Sequence, residues 1–136
     1  MNRHFTVTAY IRNNNKILLM FHTKLNKWLP LGGHMEGSEL PEETVLREVQ
    51  EESGITDLTF DTLSTELGMI QPLGLQRNII KADHEHLDLI YSLNTKQATF
   101  KLNEQEGKDM RWFSKKEIED LDLFPLTRMW INKILN

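Results

Sequence analysis

The chain has 136 residues and a formal net charge of -4, with 39% hydrophobic residues, 26% charged residues and no cysteine. This length and composition are typical of a single globular domain, so we expect residues 1–136 to form one unit. A cysteine-free chain has no disulfide, thiolate nucleophile or Cys-ligated zinc, and the acidic balance argues against a long nucleic acid as partner.

No apolar run in the sequence has the length of a transmembrane helix, and residues 1–5 do not begin a signal peptide. We therefore expect a cytoplasmic protein with no membrane partner.

The N-terminal part of the sequence predicts two strands. Four apolar residues alternate with polar or aromatic ones along the first strand: Phe5, Val7, Ala9 and Ile11. This alternation predicts a half-buried strand. The run 16–21 is almost continuously apolar, as expected of a strand covered on both faces. With a turn at 13–15 between them, the two strands are predicted to form a hairpin at the centre of a sheet.

The next segment carries a lysine, a tryptophan and a pair of glycines. Lys27 is a candidate contact for phosphate and Trp28 a candidate stacking surface for a base; a solvated lysine and a packed tryptophan are the alternatives. Gly32 and Gly33 permit the close approach of backbone to a metal or a phosphate.

Residues 41–53 are predicted to form a helix. Pro41 suits a first helical position and Gly54 suits the residue after the last turn, whereas Leu40 offers no capping side chain. At about 100° per residue the helix has an apolar side, predicted to face a core, with Val45, Leu46 and Val49. The adjacent side carries Glu48, Glu51 and Glu52.

Three neighbouring carboxylates repel each other, and they lie toward the negative end of the helix dipole. A hard divalent ion such as Mg²⁺, or Mn²⁺ in its place, would offset this repulsion and would also bind the phosphate oxygens of a substrate. A solvated acidic helix face is the alternative interpretation.

The spacing of this region decides between the two interpretations. Its fixed positions are Gly33, Glu39, Arg47-Glu48-Val49, Glu51-Glu52 and Gly54-Ile55. Every one of them matches the Nudix box, and the chain resembles the Nudix (MutT-like) hydrolases. The resemblance implies an α/β fold, the α/β/α sandwich with a mixed central sheet. It also implies that the Gly33 carbonyl joins Glu48, Glu51 and Glu52 as metal ligands, and that Glu39 and Arg47 orient the catalytic carboxylates.

The middle of the chain contains a predicted strand within residues 58–67 and then residues 68–83, which show no clean period. We interpret 68–83 as a substrate-binding loop. Arg77 within it has two interpretations, an exposed arginine or a candidate contact for phosphate. In the following strand His84, His86 and Asp88 share one face, and we interpret them as a polar cleft wall, with His86 as a substrate contact.

The last third begins with an acidic loop before a short strand. The resemblance implies that this loop supplies a further metal ligand or general base, for which Glu106 is the candidate and Glu104 and Asp109 are rivals. The general base itself stays open among Glu48, Glu52 and Glu106.

Ser114 predicts a helix with a capping box. Pro125 opens a last helix whose apolar stripe is predicted to be Leu126, Met129, Trp130, Lys133 and Ile134.

The resemblance implies a divalent-metal-dependent hydrolase that uses water to cleave a diphosphate linkage in a nucleoside diphosphate linked to another moiety. A non-catalytic Nudix-fold nucleotide sensor is the alternative, although such modules usually lose box glutamates that this chain keeps. The related isomerases use a catalytic cysteine, which is absent here. The oligomeric state stays open, with a homodimer as a candidate because dimers are frequent among similar proteins.

Overall fold

The computed structural model describes residues 1–62, 66–101 and 109–136, and within them a mixed sheet is combined with three helices. In chain order the elements are β1 (Asn2–Asn13), β2 (Lys16–His22), β3 (Lys27–Leu29), β4 (Leu31–His34), α1 (Pro41–Ser53), β5 (Thr59–Phe60), β6 (Gly74–Lys81), β7 (His84–Asn94), β8 (Asp109–Ser114), α2 (Lys115–Glu119) and α3 (Pro125–Ile134).

Strand β1 is central to the sheet. It runs parallel to β7 from the pair Asn2 and His84 to the pair Arg12 and Asn94, and antiparallel to β2 and β4. Strand β2 also pairs with β3 and β8, whereas β7 also pairs with β5 and β6. The predicted β1–β2 hairpin and mixed sheet are therefore both present.

Helices cover both faces of this sheet, and successive residues of each strand contribute to the core on one face and then on the other. One core joins Val7, Ala9 and Ile11 to Val45 and Val49 of α1. The other core joins residues of β1, β2 and β7 to α2 and α3; its members include Tyr10, Leu19, Ile90, Ile118, Trp130 and Ile131. The predicted α/β/α sandwich is confirmed.

Helix α1 has its predicted bounds. Gly54 adopts the left-handed conformation with φ of 73°, and its N–H donates to the Gln50 carbonyl. At the other end Leu40 contributes no side-chain cap, and the Glu43 carboxylate accepts its backbone N–H at 2.8 Å. The predicted burial of Leu46 is wrong, since Leu46 is 39% exposed and Thr44 is fully buried instead.

Three further predictions need correction. Strand β1 is covered on both faces only between Thr6 and Ile11, where all residues except the half-buried Thr8 are buried, and Phe5 is 60% exposed. Residues 74–81 form strand β6 rather than a loop. The buried residues of α3 are Thr127, Trp130 and Ile131, whereas Leu126 and Met129 of the predicted stripe are exposed.

The capping box of α2 is present as predicted: the Ser114 hydroxyl accepts the Glu117 N–H, and the Glu117 carboxylate accepts the Ser114 N–H. Among the helices of the described ranges, none combines the length and the apolar character needed to span a bilayer.

Candidate active site

Arg47 connects the carboxylates of α1 to the loop before the helix. Its Nε and one terminal nitrogen donate to the two oxygens of Glu39 at 2.7 and 3.0 Å. Its other terminal nitrogen donates to Glu48 at 3.0 Å and to Glu51 at 3.3 Å. A further bond reaches the His34 carbonyl at 3.0 Å. Glu39 and Arg47 are therefore paired through a bidentate hydrogen bond, and Arg47 also contacts Glu48 and Glu51, as its expected role in orienting the carboxylates requires.

The guanidinium provides positive charge where the helix has accumulated negative charge. Chiefly through the side-chain hydrogen bond from Arg47, the pKa of Glu39 falls from 4.5 to about 2. The Glu39 hydrogen bond in turn raises the pKa of Arg47, and Glu48 adds to this effect. Arg47 thus offsets part of the repulsion between the box carboxylates.

We expect Arg47→Lys to lower the melting temperature, because a single ammonium cannot bridge Glu39, Glu48 and Glu51 at once. The folded-state pKa of Glu39 is depressed, so its contribution to stability is present above pH 4.5 and is lost as the pH falls toward 2. The difference in melting temperature between parent and variant should therefore shrink over that range. Arg111→Lys, at an exposed pair with Asp109, is the control; an equal effect of both changes would contradict the prediction.

Two glycines allow α1 and β4 to approach each other closely. At Gly33 a Cβ atom would lie 2.3–2.6 Å from the carboxylate atoms of Glu48, so that this carboxylate occupies the space a side chain would fill. The N–H of the neighbouring Gly32 donates to Glu52 at 3.0 Å, and Glu52 is only 2% exposed. The backbone of β4 therefore positions two of the three box carboxylates.

The residues at this place fit a hard divalent ion in their chemistry. Glu48, Glu51 and Glu52 supply carboxylate oxygens, Gly33 supplies a main-chain oxygen, and such oxygens are the ligands that Mg²⁺ and Mn²⁺ prefer. The Glu48 carboxylate already lies against Gly33. Across the described residues, no three acidic or histidine side chains are already arranged to hold a metal ion.

A cavity of about 280 Å³ adjoins this region. Glu52, Gly33 and His34 contribute to its wall beside the α1–β4 contact. The remaining polar side chains of the wall come from β1, β2, β6 and β7: Thr6, Thr8, His22, Asn78, His86 and Asp88. Ligand pockets typically have about 300–1,000 Å³, so this cavity holds one part of a nucleotide-sized molecule rather than all of it.

Four histidines lie together, and two of them, His34 and His86, line the cavity. The ring centroids of His34 and His86 are 4.9 Å apart, those of His84 and His86 are 5.1 Å apart, and those of His4 and His84 are 5.0 Å apart. Burial lowers the pKa of His86, and the neighbouring His34, His84 and His4 lower it further. His86 is thus a cleft residue that favours its neutral form.

The NUDIX domain family model matches residues 2–133. The chain belongs to the NUDIX family. A NUDIX-family hydrolase from Clostridium perfringens has 31% sequence identity and a TM-score of 0.87, with 99% of this chain and 97% of that chain covered. Family membership supports an enzyme of the pyrophosphohydrolase type, as predicted. No curated protein sequence gives a significant match.

Two more distant solved structures share the fold of this Nudix chain. The MutT NUDIX hydrolase from Burkholderia pseudomallei has 19% identity and a TM-score of 0.74, with 98% of this chain and 99% of that chain covered. The NUDIX domain of Shewanella oneidensis NrtR, solved as a complex with ADP ribose, has 18% identity and a TM-score of 0.75. The match covers 98% of this chain and 87% of the Shewanella chain.

Lys27 and Trp28 of this Nudix protein lie away from the cavity wall. The Lys27 ammonium forms an ion pair with Asp122 at 2.5 Å. The Trp28 ring packs edge-on against Phe21 and Phe113, with ring centroids 5.3 and 4.9 Å apart. Both residues therefore have structural contacts of their own, and their interpretation as substrate contacts is not supported by this placement.

Of the two interpretations of Arg77, the structure supports the exposed arginine and not the phosphate contact. Arg77 neighbours Asn78 in β6, so its side chain points to the opposite face of the sheet from the cavity. There it pairs with the buried Glu85 at 2.8 Å, and Arg3 contacts the same carboxylate. Arg77 is thus an exposed member of an ion-pair group rather than part of the cleft.

Glu106 and its rival Glu104 lie outside the residues that the structure describes. The other rival, Asp109, begins β8, where its carboxylate pairs with Arg111 at 2.9 Å.

Sequence reasoning found the cleft face of β7 but missed His4 and His34. These two histidines are isolated in the sequence, and only strand register brings them together. His4 lies opposite His86, and Thr6 lies opposite both His34 and Asp88.

Proposed function

We propose that this Nudix protein hydrolyses a diphosphate linkage in a nucleoside diphosphate linked to another moiety, with Mg²⁺ or Mn²⁺ as cofactor. The observation that carries the proposal is the position of Glu52. It belongs to the box helix and also lines the cavity whose other polar side chains include Thr6, Asn78 and Asp88 of three sheet strands. A carboxylate suited to metal binding and a cavity suited to a ligand are therefore parts of one site.

Glu48, Glu51 and Glu52 and the Gly33 carbonyl would hold the metal. When bound, a divalent ion supplies charge neutralisation for phosphate oxygens and lowers the pKa of water. Arg47 fixes the rotamers of Glu48 and Glu51 and is itself held by Glu39. Water attacks phosphorus, the bond from that phosphorus to the bridging oxygen breaks, and one of Glu48, Glu52 or Glu106 accepts the proton of the attacking water.

The ADP ribose bound by the Shewanella domain supports a nucleotide-type ligand. The match over residues 2–133 supports a single catalytic domain in residues 1–136. A cytoplasmic location is proposed from the cysteine-free composition, and a homodimer from the frequency of dimers among similar proteins.

Hydrolysis in ¹⁸O-labelled water tests the reaction. A panel of ADP-ribose, a UDP-sugar and a dinucleoside polyphosphate should include a substrate whose turnover needs Mg²⁺ or Mn²⁺ and stops in chelator. One label should appear on a phosphoryl product and none on a sugar carbon, because attack occurs at phosphorus. Label on carbon, or rapid turnover of a simple phosphomonoester, would overturn the mechanism. Binding without turnover of any compound would favour the nucleotide sensor instead.

A further inference from the structure

A directional chain of hydrogen bonds runs from α3 into the cavity. The Trp130 indole N–H donates to the Gln76 oxygen at 2.7 Å, and the Gln76 amide N–H donates to the Asn78 oxygen at 2.6 Å. The Asn78 amide N–H then donates to Asp88 at 3.4 Å. An indole N–H can only donate, so it sets the orientation of both amides. The chain therefore directs a donor toward Asp88.

Asp88 is the common acceptor at the end of this chain. The Thr6 hydroxyl donates to one of its oxygens at 3.0 Å, and the Thr8 hydroxyl donates to the other at 2.6 Å. Asp88 is only 5% exposed, and within the ranges that the structure describes no lysine or arginine forms an ion pair with it. Three donors from the protein thus surround a buried carboxylate without neutralising it.

A carboxylate has about four lone-pair positions, so three donors leave one acceptor position of Asp88 open to a ligand. The residue lines the cavity. Burial raises the pKa of Asp88, and the hydrogen bonds from Thr8, Thr6 and Asn78 oppose that rise. Keeping an acidic group in such a place costs stability, which is characteristic of residues that contact ligands.

We propose that Asp88 is a specificity-determining residue that accepts a hydrogen bond from the non-phosphate part of the substrate. Its partner is an N–H or O–H group, on a base or a sugar. A phosphate has only acceptor oxygens and negative charge, so this end of the cavity disfavours it and the diphosphate lies toward Glu52. Asn78, Gln76 and Trp130 are positioning residues for Asp88. The inference rests on the proposed function and assigns the orientation of the substrate within it.

Asp88→Asn tests the proposal with little change in shape. For the best substrate of the panel, KM should rise about ten- to a hundredfold, the value of one hydrogen bond to a charged group, while kcat changes less than about threefold. Thr8→Val, which removes one donor to Asp88, should also raise KM, by a smaller factor than Asp88→Asn. If Asp88→Asn does not fold, the KM of Thr8→Val tests the proposal instead. Asp61→Asn, a matched change at a carboxylate bonded to Arg12 and Ser92, should leave KM unchanged.

Matched analogues of that substrate locate the donor. One analogue lacks the N–H groups of the base and the other lacks the ribose hydroxyls. The parent and Asp88→Asn should bind with equal affinity the analogue that lacks the group donating to Asp88, because that analogue makes no hydrogen bond to residue 88. An unchanged KM in both Asp88→Asn and Thr8→Val, or an equal rise in Asp61→Asn, would overturn the proposal.

Calorimetry with ADP-ribose separates this inference from the proposed function. If the parent turns over no panel compound, the proposed function fails. Weaker ADP-ribose binding by Asp88→Asn than by the parent would then still support the role of Asp88. Equal binding, or no binding to the parent, would overturn it.

Discussion

Glu52→Gln is expected to lower kcat by about 10²–10⁴-fold while the protein stays folded, the range for loss of a group that acts directly in proton transfer or metal binding. Glu52 is 2% exposed, and its carboxylate accepts the Gly32 N–H at 3.0 Å. The glutamine oxygen can accept the same N–H, so the contact between α1 and β4 survives. Only the negative charge is lost, and steady-state kinetics with a thermal melt measure the two effects separately.

Changes at two further glutamates test whether the loss of activity is specific to the carboxylates of the box. Glu51→Gln should also lower kcat by orders of magnitude, and its side chain is 53% exposed, so its melting temperature should change little. Glu119→Gln, at an exposed position on α2, is the control and should leave both quantities unchanged. Full activity in both box variants would refute the assignment of these carboxylates to the metal.

Gly33→Ala is expected to lower kcat by about a hundredfold, the size of effect that a displacement of about 1 Å produces at a reacting centre. The new Cβ would lie 2.3 Å from the carboxylate carbon of Glu48 and would force it to move. A carboxylate is the far end of a flexible side chain, so the displacement costs little stability. The melting temperature should stay close to that of the parent while activity falls.

Gly32→Ala, a change at the adjacent residue, is expected to lower stability, in contrast to Gly33→Ala. Its Cβ would lie 2.2 Å from the Val7 carbonyl oxygen, which is backbone and cannot rotate away. We expect a loss of about 1–3 kcal/mol in the free energy of unfolding, because overpacking distorts the pairing of β1 with β4. If Gly33→Ala lost stability as Gly32→Ala does, or kept full activity, the role of Gly33 in placing Glu48 would be refuted.

Helix α1 and its carboxylates were predictable from the sequence because their determinants are local. Pro41 sets the start, Gly54 adopts the left-handed conformation after the end, and the spacing between them sets which side chains share a face. Leu46 was predicted to be buried because helical periodicity shows which residues are neighbours, not how wide the covered stripe is. At 39% exposure it lies at the edge of that stripe.

Strand β6 escaped prediction for a different physical reason. Its polar residues Gln76 and Asn78 face the interior hydrogen-bond chain, whereas Leu75 and Ile79 are 74% and 72% exposed. This pattern is the reverse of the usual half-buried strand, so the alternation does not indicate which side is covered. The histidine cluster was equally hidden, because its members come from three strands and meet only through register.

The parallel pairing of β1 with β7 has a consequence for the order of folding. Thr6 and Thr8 are 82 and 80 residues from their partner Asp88 in the chain, so these contacts are costly to form early. During synthesis at about 5–20 residues per second, β1 would wait roughly 4–16 s for β7 to be made. Its partners β2 and β4 are available sooner.

Over that interval the β1 edge that later receives β7 is unpaired, and such an edge invites intermolecular association. Chaperone dependence and aggregation of nascent chains should therefore be greatest for lengths that end before residue 94.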